Sequence, residues 1–281
     1  MTGNTKSASS RRLDDEGMVF RHYPVIMPSA LKIYDICKSG KLNPYDLFTI
    51  INADPVLTGI TYGLYHEFFP EMPRDFFGIP HIIIKLNVNT VKNNVLKAVE
   101  RTMARQKADK KTGNKQMDFL RRSLAAGIVS LLLAKRRGIT GRGVQEYYCA
   151  GLLHDIGGFA LSQESGVEFT GTGGGITTAE AGRLTAKLWG FPPGIHDVIA
   201  FHQDYTSYTG NYQDAVRHTA LAVSISDKWA AVKSTASRLQ QPVPAELFKL
   251  LGLSENIFEE IEKPFRAEFK KTAAFIGLEG V

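Results

Sequence analysis

The sequence predicts an all-α fold, and three observations carry that expectation. Asn43-Pro44 and Asp54-Pro55 each place a capping side chain just before a proline, the arrangement that opens helices. Thr177 and Glu180 have the spacing of a capping box. Long stretches, 89–106 and 117–137 above all, repeat apolar residues at helical period, while strand signals are scarce.

Taken in order, Pro28 opens a segment that carries Leu31, Tyr34, Ile36 and Cys37 at near-helical spacing. The capped prolines predict helices near 44–52 and 55–66. "FGIPHIIIKL", residues 77–86, fits strand or helix by period and is read as helix beside its plainly helical neighbour. Residues 117–137 carry Leu120, Leu124, Ile128 and Leu131 on one face and Ala126, Val129 and Leu133 on another, which predicts a central buried helix. The next helix, 144–154, is expected to stop at Gly157-Gly158. "SGVEFTGTGGGI", residues 165–176, lacks a preceding strand and a P-loop lysine and reads as a flexible loop. Helices follow from Thr177 to Trp189, from Pro192-Pro193 to His202 and over 214–232, and two amphipathic ones close the chain after "QQPVP".

With 281 residues, 43% of them hydrophobic, the chain can bury a sizeable core as one large domain or two intimately packed ones. The polar residues 1–17 read as a disordered tail rather than a signal peptide. No apolar run approaches the roughly 20 residues of a membrane helix. Cys37 and Cys149 each sit in an apolar segment, which fits a reducing cytoplasm and excludes a disulfide scaffold. The net charge is +6, and residues 101–122 hold eight Lys or Arg. Only Phe119 interleaves with those charges, so base stacking is poorly supported and the stretch reads as a solvated connection.

Chemistry concentrates in "AGLLHDIGGFAL", residues 150–161, where an apolar helix ends in His154-Asp155. That stretch resembles the central motif of the HD superfamily, and the chain resembles its HDOD branch. "MPSALKIYDICKSGKLNPYDLFTIINADPVLTGITYGL", "GIPHIIIKLNVNTVKNNVLKAV" and "TAEAGRLTAKLWGFPPGIHDVIAFHQ" carry the resemblance over about residues 20–235. It implies an HD-like helical half, 117–235, preceded by an additional helical half, 18–116, with 236–281 as helices packed on that domain.

The resemblance also implies what to look for. HD enzymes hold one or two divalent metals and hydrolyse phosphate esters, with imidazole and carboxylate ligands leaving room for an activated water. His154 and Asp155 stand at the dipeptide. Arg122, in "LRRSLAAG", stands where the family has its first histidine, and Thr178 where it has another. The later His-His pair is His202-Gln203, and the final aspartate aligns with Asp227. The GYP signature of the cyclic-dinucleotide phosphodiesterases is absent downstream.

Each position also has a purely structural reading. Asp155 would pin neighbouring backbone, His154 would donate to a buried acceptor, and His202 would be a satisfied core histidine. Arg122 either snorkels to solvent beside Arg121 or pairs with Asp155 in the place of a metal. His196 and His218 face away from this group, and His22, His66 and His81 lie outside the HD-like half. The sequence-level expectation is a non-catalytic bacterial signal-transduction module, cofactor-free, that binds regulatory proteins or a small ligand. Two alternatives stay open: a residual phosphohydrolase holding iron or manganese with His154, Asp155, His202 and Asp227, and a nucleic-acid-binding regulator using 101–122.

Overall fold

The structure, a computed structural model, describes residues 23–40, 43–72, 75–76, 78–105, 110–165, 172–173, 176–229 and 243–278. The tail expected over 1–17 and part of the glycine-rich loop lie outside the described residues. The chain is all-α. Its first helices are α1 (Met27–Lys38), α2 (Pro44–Ala53), α3 (Pro55–Phe68), α4 (Ile79–Leu86) and α5 (Val88–Arg105). There follow α6 (Lys110–Arg136), α7 (Arg142–Leu153), α8 (Ile156–Ser165), α9 (Thr178–Leu188) and α10 (Pro193–Phe201). The last are α11 (Gln213–Trp229), α12 (Ala245–Leu250) and α13 (Ile257–Phe275).

The local signals act as the sequence predicts. The Asn43 side chain accepts from Asp46 N at 2.8 Å, and Asp54 accepts from Val56 N at 2.8 Å and Leu57 N at 3.0 Å. Thr177 accepts from Glu180 N at 3.1 Å, opening α9.

Three expectations need correction. The central helix begins at Lys110 rather than 117, so residues 101–105 and 110–122 of the basic stretch are helical where it was read as a connection. The glycine-rich loop is not wholly irregular, because Thr172 and Thr177, and Gly173 and Ile176, pair in a minimal antiparallel ladder. Finally, Gly157-Gly158 does not stop a helix. It lies inside α8, which two residues, His154 and Asp155, separate from α7. A Cβ at Gly157 would fall 1.8 Å from Thr178 O and 2.6 Å from Gly182 N, so this glycine exists to let α8 and α9 touch backbone to backbone.

The centre of the fold is α6, which packs against α7, α11 and α13. Phe119, Leu120, Leu124, Val129 and Leu133 are fully buried along it, on more than one face. α7 approaches α6 closely because Gly151 rests on it; a Cβ there would meet Ala126 O at 2.6 Å. The earlier helices join the later ones through aromatic contacts. Tyr62 of α3 stacks on Phe191 with ring centroids 3.9 Å apart, and Trp189 is 1% exposed beside Phe191. α13 closes the bundle, with Phe265 packed on Trp229 at 5.0 Å between centroids.

The α8–α9 contact generates a stability prediction. Gly157→Ala forces backbone apart rather than a flexible side chain, and is expected to cost about 2–3 kcal/mol of unfolding free energy in urea titrations. An unchanged midpoint would show that the two helices do not meet this closely.

Candidate functional site

His154 and Asp155 form the turn between α7 and α8, held at depth by the Gly151 contact below them. His154 is 5% exposed, and its Nδ1–H donates to Gly151 O at 2.8 Å. That bond is the buried acceptor expected for it. Burial, then the neighbouring His202, lowers the His154 imidazole to about 4, with Asp155 pulling the other way; the ring is neutral at pH 7.

His202 follows the last turn of α10, its Nδ1–H shared between Val198 O and Ile199 O at 3.2 Å each. The His154 and His202 rings meet edge to face, with centroids 5.2 Å apart and planes at 88°. His154, Asp155, Thr178, His202 and Gln203 line one cavity of about 20 Å³. A space of that size admits about one water.

Arg122 settles the choice the sequence leaves open. Its Nη2 lies 3.2 Å from Asp155 Oδ2, with the two side chains 14% and 13% exposed, so it points inward from α6 instead of snorkelling beside Arg121. Arg121 pairs with Asp118 at 3.2 Å. The structure thus assembles Arg122, His154, Asp155, Thr178 and His202, drawn from α6, the α7–α8 turn, α9 and α10. Asp227, on α11, is not among the residues that line this cavity. Among the described residues, no group of three or more His, Cys, Asp or Glu side chains could hold a metal ion.

Sequence reasoning passed over a second polar cluster. His218, fully buried on α11, donates from Nε2–H to Ser130 O at 2.9 Å and accepts at Nδ1 from Arg137 at 3.0 Å. Arg137 grips Asp214 with two bonds of 2.5 and 3.0 Å, and Tyr147 donates to the same carboxylate. Burial opposes the Asp214 charge, but the Arg137 and Tyr147 hydrogen bonds outweigh it and hold the carboxyl below its usual range. Burial lowers His218 to about 4. The cluster clamps α6, α7 and α11 together. No local signal reveals it, because Arg137 and Asp214 are far apart in sequence.

Comparison with known proteins adds three findings. A family model, that of the HDOD domain, matches residues 23–205. Among solved structures, the MmoQ response regulator of Methylococcus capsulatus is similar, with 20% identity, 85% of this chain and 96% of that one covered, and a TM-score of 0.66. A virulence factor from Campylobacter jejuni is similar at 12% identity, with 88% and 97% covered and a TM-score of 0.52. No curated protein matched the sequence.

Two predictions follow from the geometry. Arg122→Met and Asp155→Asn are each expected to destabilise by about 2 kcal/mol, since either leaves a mostly buried charge or donor alone. The double variant should lose at least about 1 kcal/mol less than the sum, and strict additivity would mean the pair does not interact.

The second concerns pH. His154 and His218 have folded values near 4. The ordinary value is 6.5, so the native state binds fewer protons than the unfolded chain between these limits. Their contribution is complete above the ordinary value and is lost as pH falls through about 4. Asp54 opposes them. Burial first of all pushes its carboxyl up to about 6, so its contribution is lost as pH rises through that value. Two histidines outweigh one aspartate. Unfolding free energy is therefore expected to be lower at about pH 4.5 than at about pH 7, with a smaller difference in His218→Gln. A wild-type protein more stable in acid would contradict the neutral, buried imidazoles.

Proposed function

The chain belongs to the HDOD domain family, and from that premise we propose that it is a non-catalytic bacterial regulatory module. Its HD position is closed by an internal ion pair, and it acts by binding partner proteins or a small ligand. The observation that carries this reading is the Arg122 guanidinium at 3.2 Å from the Asp155 carboxylate.

The residues do not fit a divalent ion. Of the family's donors, His154, Asp155 and His202 remain here, and Arg122 occupies Asp155. A fixed cation about 4 Å from a second unit charge of its own sign meets about 4 kcal/mol of repulsion at an effective dielectric near 20, and a divalent ion meets more. A cavity of about 20 Å³ also leaves no space for an ion, its water and a phosphate ester together. Thr178 contributes a hydroxyl where the resemblance places an imidazole, a weak donor for iron or manganese.

Regulation is the role the family resemblance implies and the one the similar response regulator bears. No helix among the described residues is long and apolar enough to cross a membrane. The nucleic-acid reading loses support from the same contacts, because Arg121 and Arg122 of the basic stretch are committed to Asp118 and Asp155.

The test is hydrolysis of generic phosphodiesters, cyclic dinucleotides and nucleotides with manganese or iron(II) supplied. Wild type is expected to be inert. Turnover that vanishes in both His154→Ala and Asp155→Ala would establish the phosphohydrolase and overturn this proposal.

A further inference from the structure

A second cavity, far larger than the one at the HD position, lies between the early helices and α7. Its volume is about 530 Å³. Packed protein interiors hold few voids larger than a water, whereas small-molecule sites run from roughly 300 to 1,000 Å³. α2, α3 and α4 form one side of it, with α6 and α7 opposite. On α7 the stripe Val144, Tyr148 and Leu152 faces it, a spacing that places all three on one side of the helix.

The deep surface is apolar. Tyr62, Phe76, Tyr148 and Leu152 are buried there. Two of its hydroxyls are already used inside the protein: Tyr148 donates to Asn52 O at 2.7 Å, and Thr58 donates to Ile51 O at 2.7 Å. Burial pushes the Cys149 thiol up, so this side chain lines the floor as a neutral, apolar group. A ligand that enters meets carbon over most of this surface, with the half-buried Asn52 side chain as a polar spot on the wall.

The mouth is different. Lys135, Thr140 and Gln145 are exposed at the rim. Lys135 is the sole Lys or Arg among the described lining residues, none of which is Asp or Glu. Its ammonium has no ion-pair partner among the described residues, whereas its neighbour Arg136 pairs with Glu260 at 3.2 Å. An apolar chamber with a single cation at its entrance selects one kind of guest. The body must be hydrophobic, and the one charge must be negative and sit at the end that faces water.

We propose that this cavity is a binding site for a small amphipathic anion, an aliphatic or aromatic carboxylic acid whose carboxylate pairs with Lys135 while its apolar body lies against Tyr62, Tyr148 and Leu152. The site is separate from the HD position and does not depend on whether that position is catalytic. The two still share a helix, since α7 lines the cavity with one face and ends at His154-Asp155.

Calorimetric titration of the full chain with decanoate tests the proposal, with decylamine and decan-1-ol as controls. Decanoate is expected to bind saturably, one per chain, and more tightly than either control. Lys135→Gln, a surface change that leaves the core intact, should weaken decanoate by about fivefold without weakening decan-1-ol. Lys135→Glu should reverse the preference toward decylamine. Val144→Trp, which fills the cavity with an indole, should abolish binding while circular dichroism confirms its fold. Absence of saturable decanoate binding to wild type at millimolar concentration overturns the proposal, as does binding unaltered by both Lys135 substitutions. Failure here would leave the regulatory reading standing, and turnover in the hydrolysis assay would leave this one standing.

Discussion

α7 can lie where it does because Gly151 presents no side chain to α6. The 2.6 Å that would separate a Cβ from Ala126 O is shorter than any real contact of that kind, so even alanine would lift the helix outward. Much else depends on this approach. It sinks the end of α7 deep enough that His154 is buried and its Nδ1–H finds Gly151 O. It brings Asp155 within reach of Arg122, one helix away. Val144, Tyr148 and Leu152 of the same helix line the large cavity together with residues of α2, α3 and α4. Tyr148 spans the gap and ties α7 to the early helices through Asn52 O.

An ion pair at the HD position does some of what a metal would do and omits the rest. Both neutralise Asp155, which is needed because an isolated carboxylate buried to this degree is costly. A metal would also bring an activated water and would come and go with its concentration. Arg122 is covalently part of α6, so its charge is always present beside Asp155. The turn carrying His154-Asp155 is therefore held without any ligand.

What could be read from the sequence was local. The caps at Asn43, Asp54 and Thr177 act within four residues, and the structure shows all three in place. The positions gathered at the HD motif, Arg122, His154, Asp155, Thr178 and His202, were also legible, since the resemblance supplied their alignment. Gly157-Gly158 misled for a physical reason: glycine ends helices through its backbone freedom, but here it serves contact with Gly182, a partner that no local window contains. Lys110 to Gln116 looked like a solvated connection because charge and Gly113 obscure the first turns of the helix. The large cavity had no signal at all. It is a difference between packed surfaces of five helices, and no single segment encodes a difference.

The two cavities illustrate why fold resemblance locates chemistry more readily than it assigns it. The HD position is recognisable by residue identity, yet its cavity is small and its Asp155 is paired within the protein. The other space has no recognisable motif, but it has the volume, the apolar lining and the single exposed cation that a ligand would use. α7 connects them within three turns. Tyr148 lines the larger space and bonds to Asn52 O, while Gly151, one turn further on, rests on α6, so the helix that ends at the His154-Asp155 turn also forms a wall of the cavity.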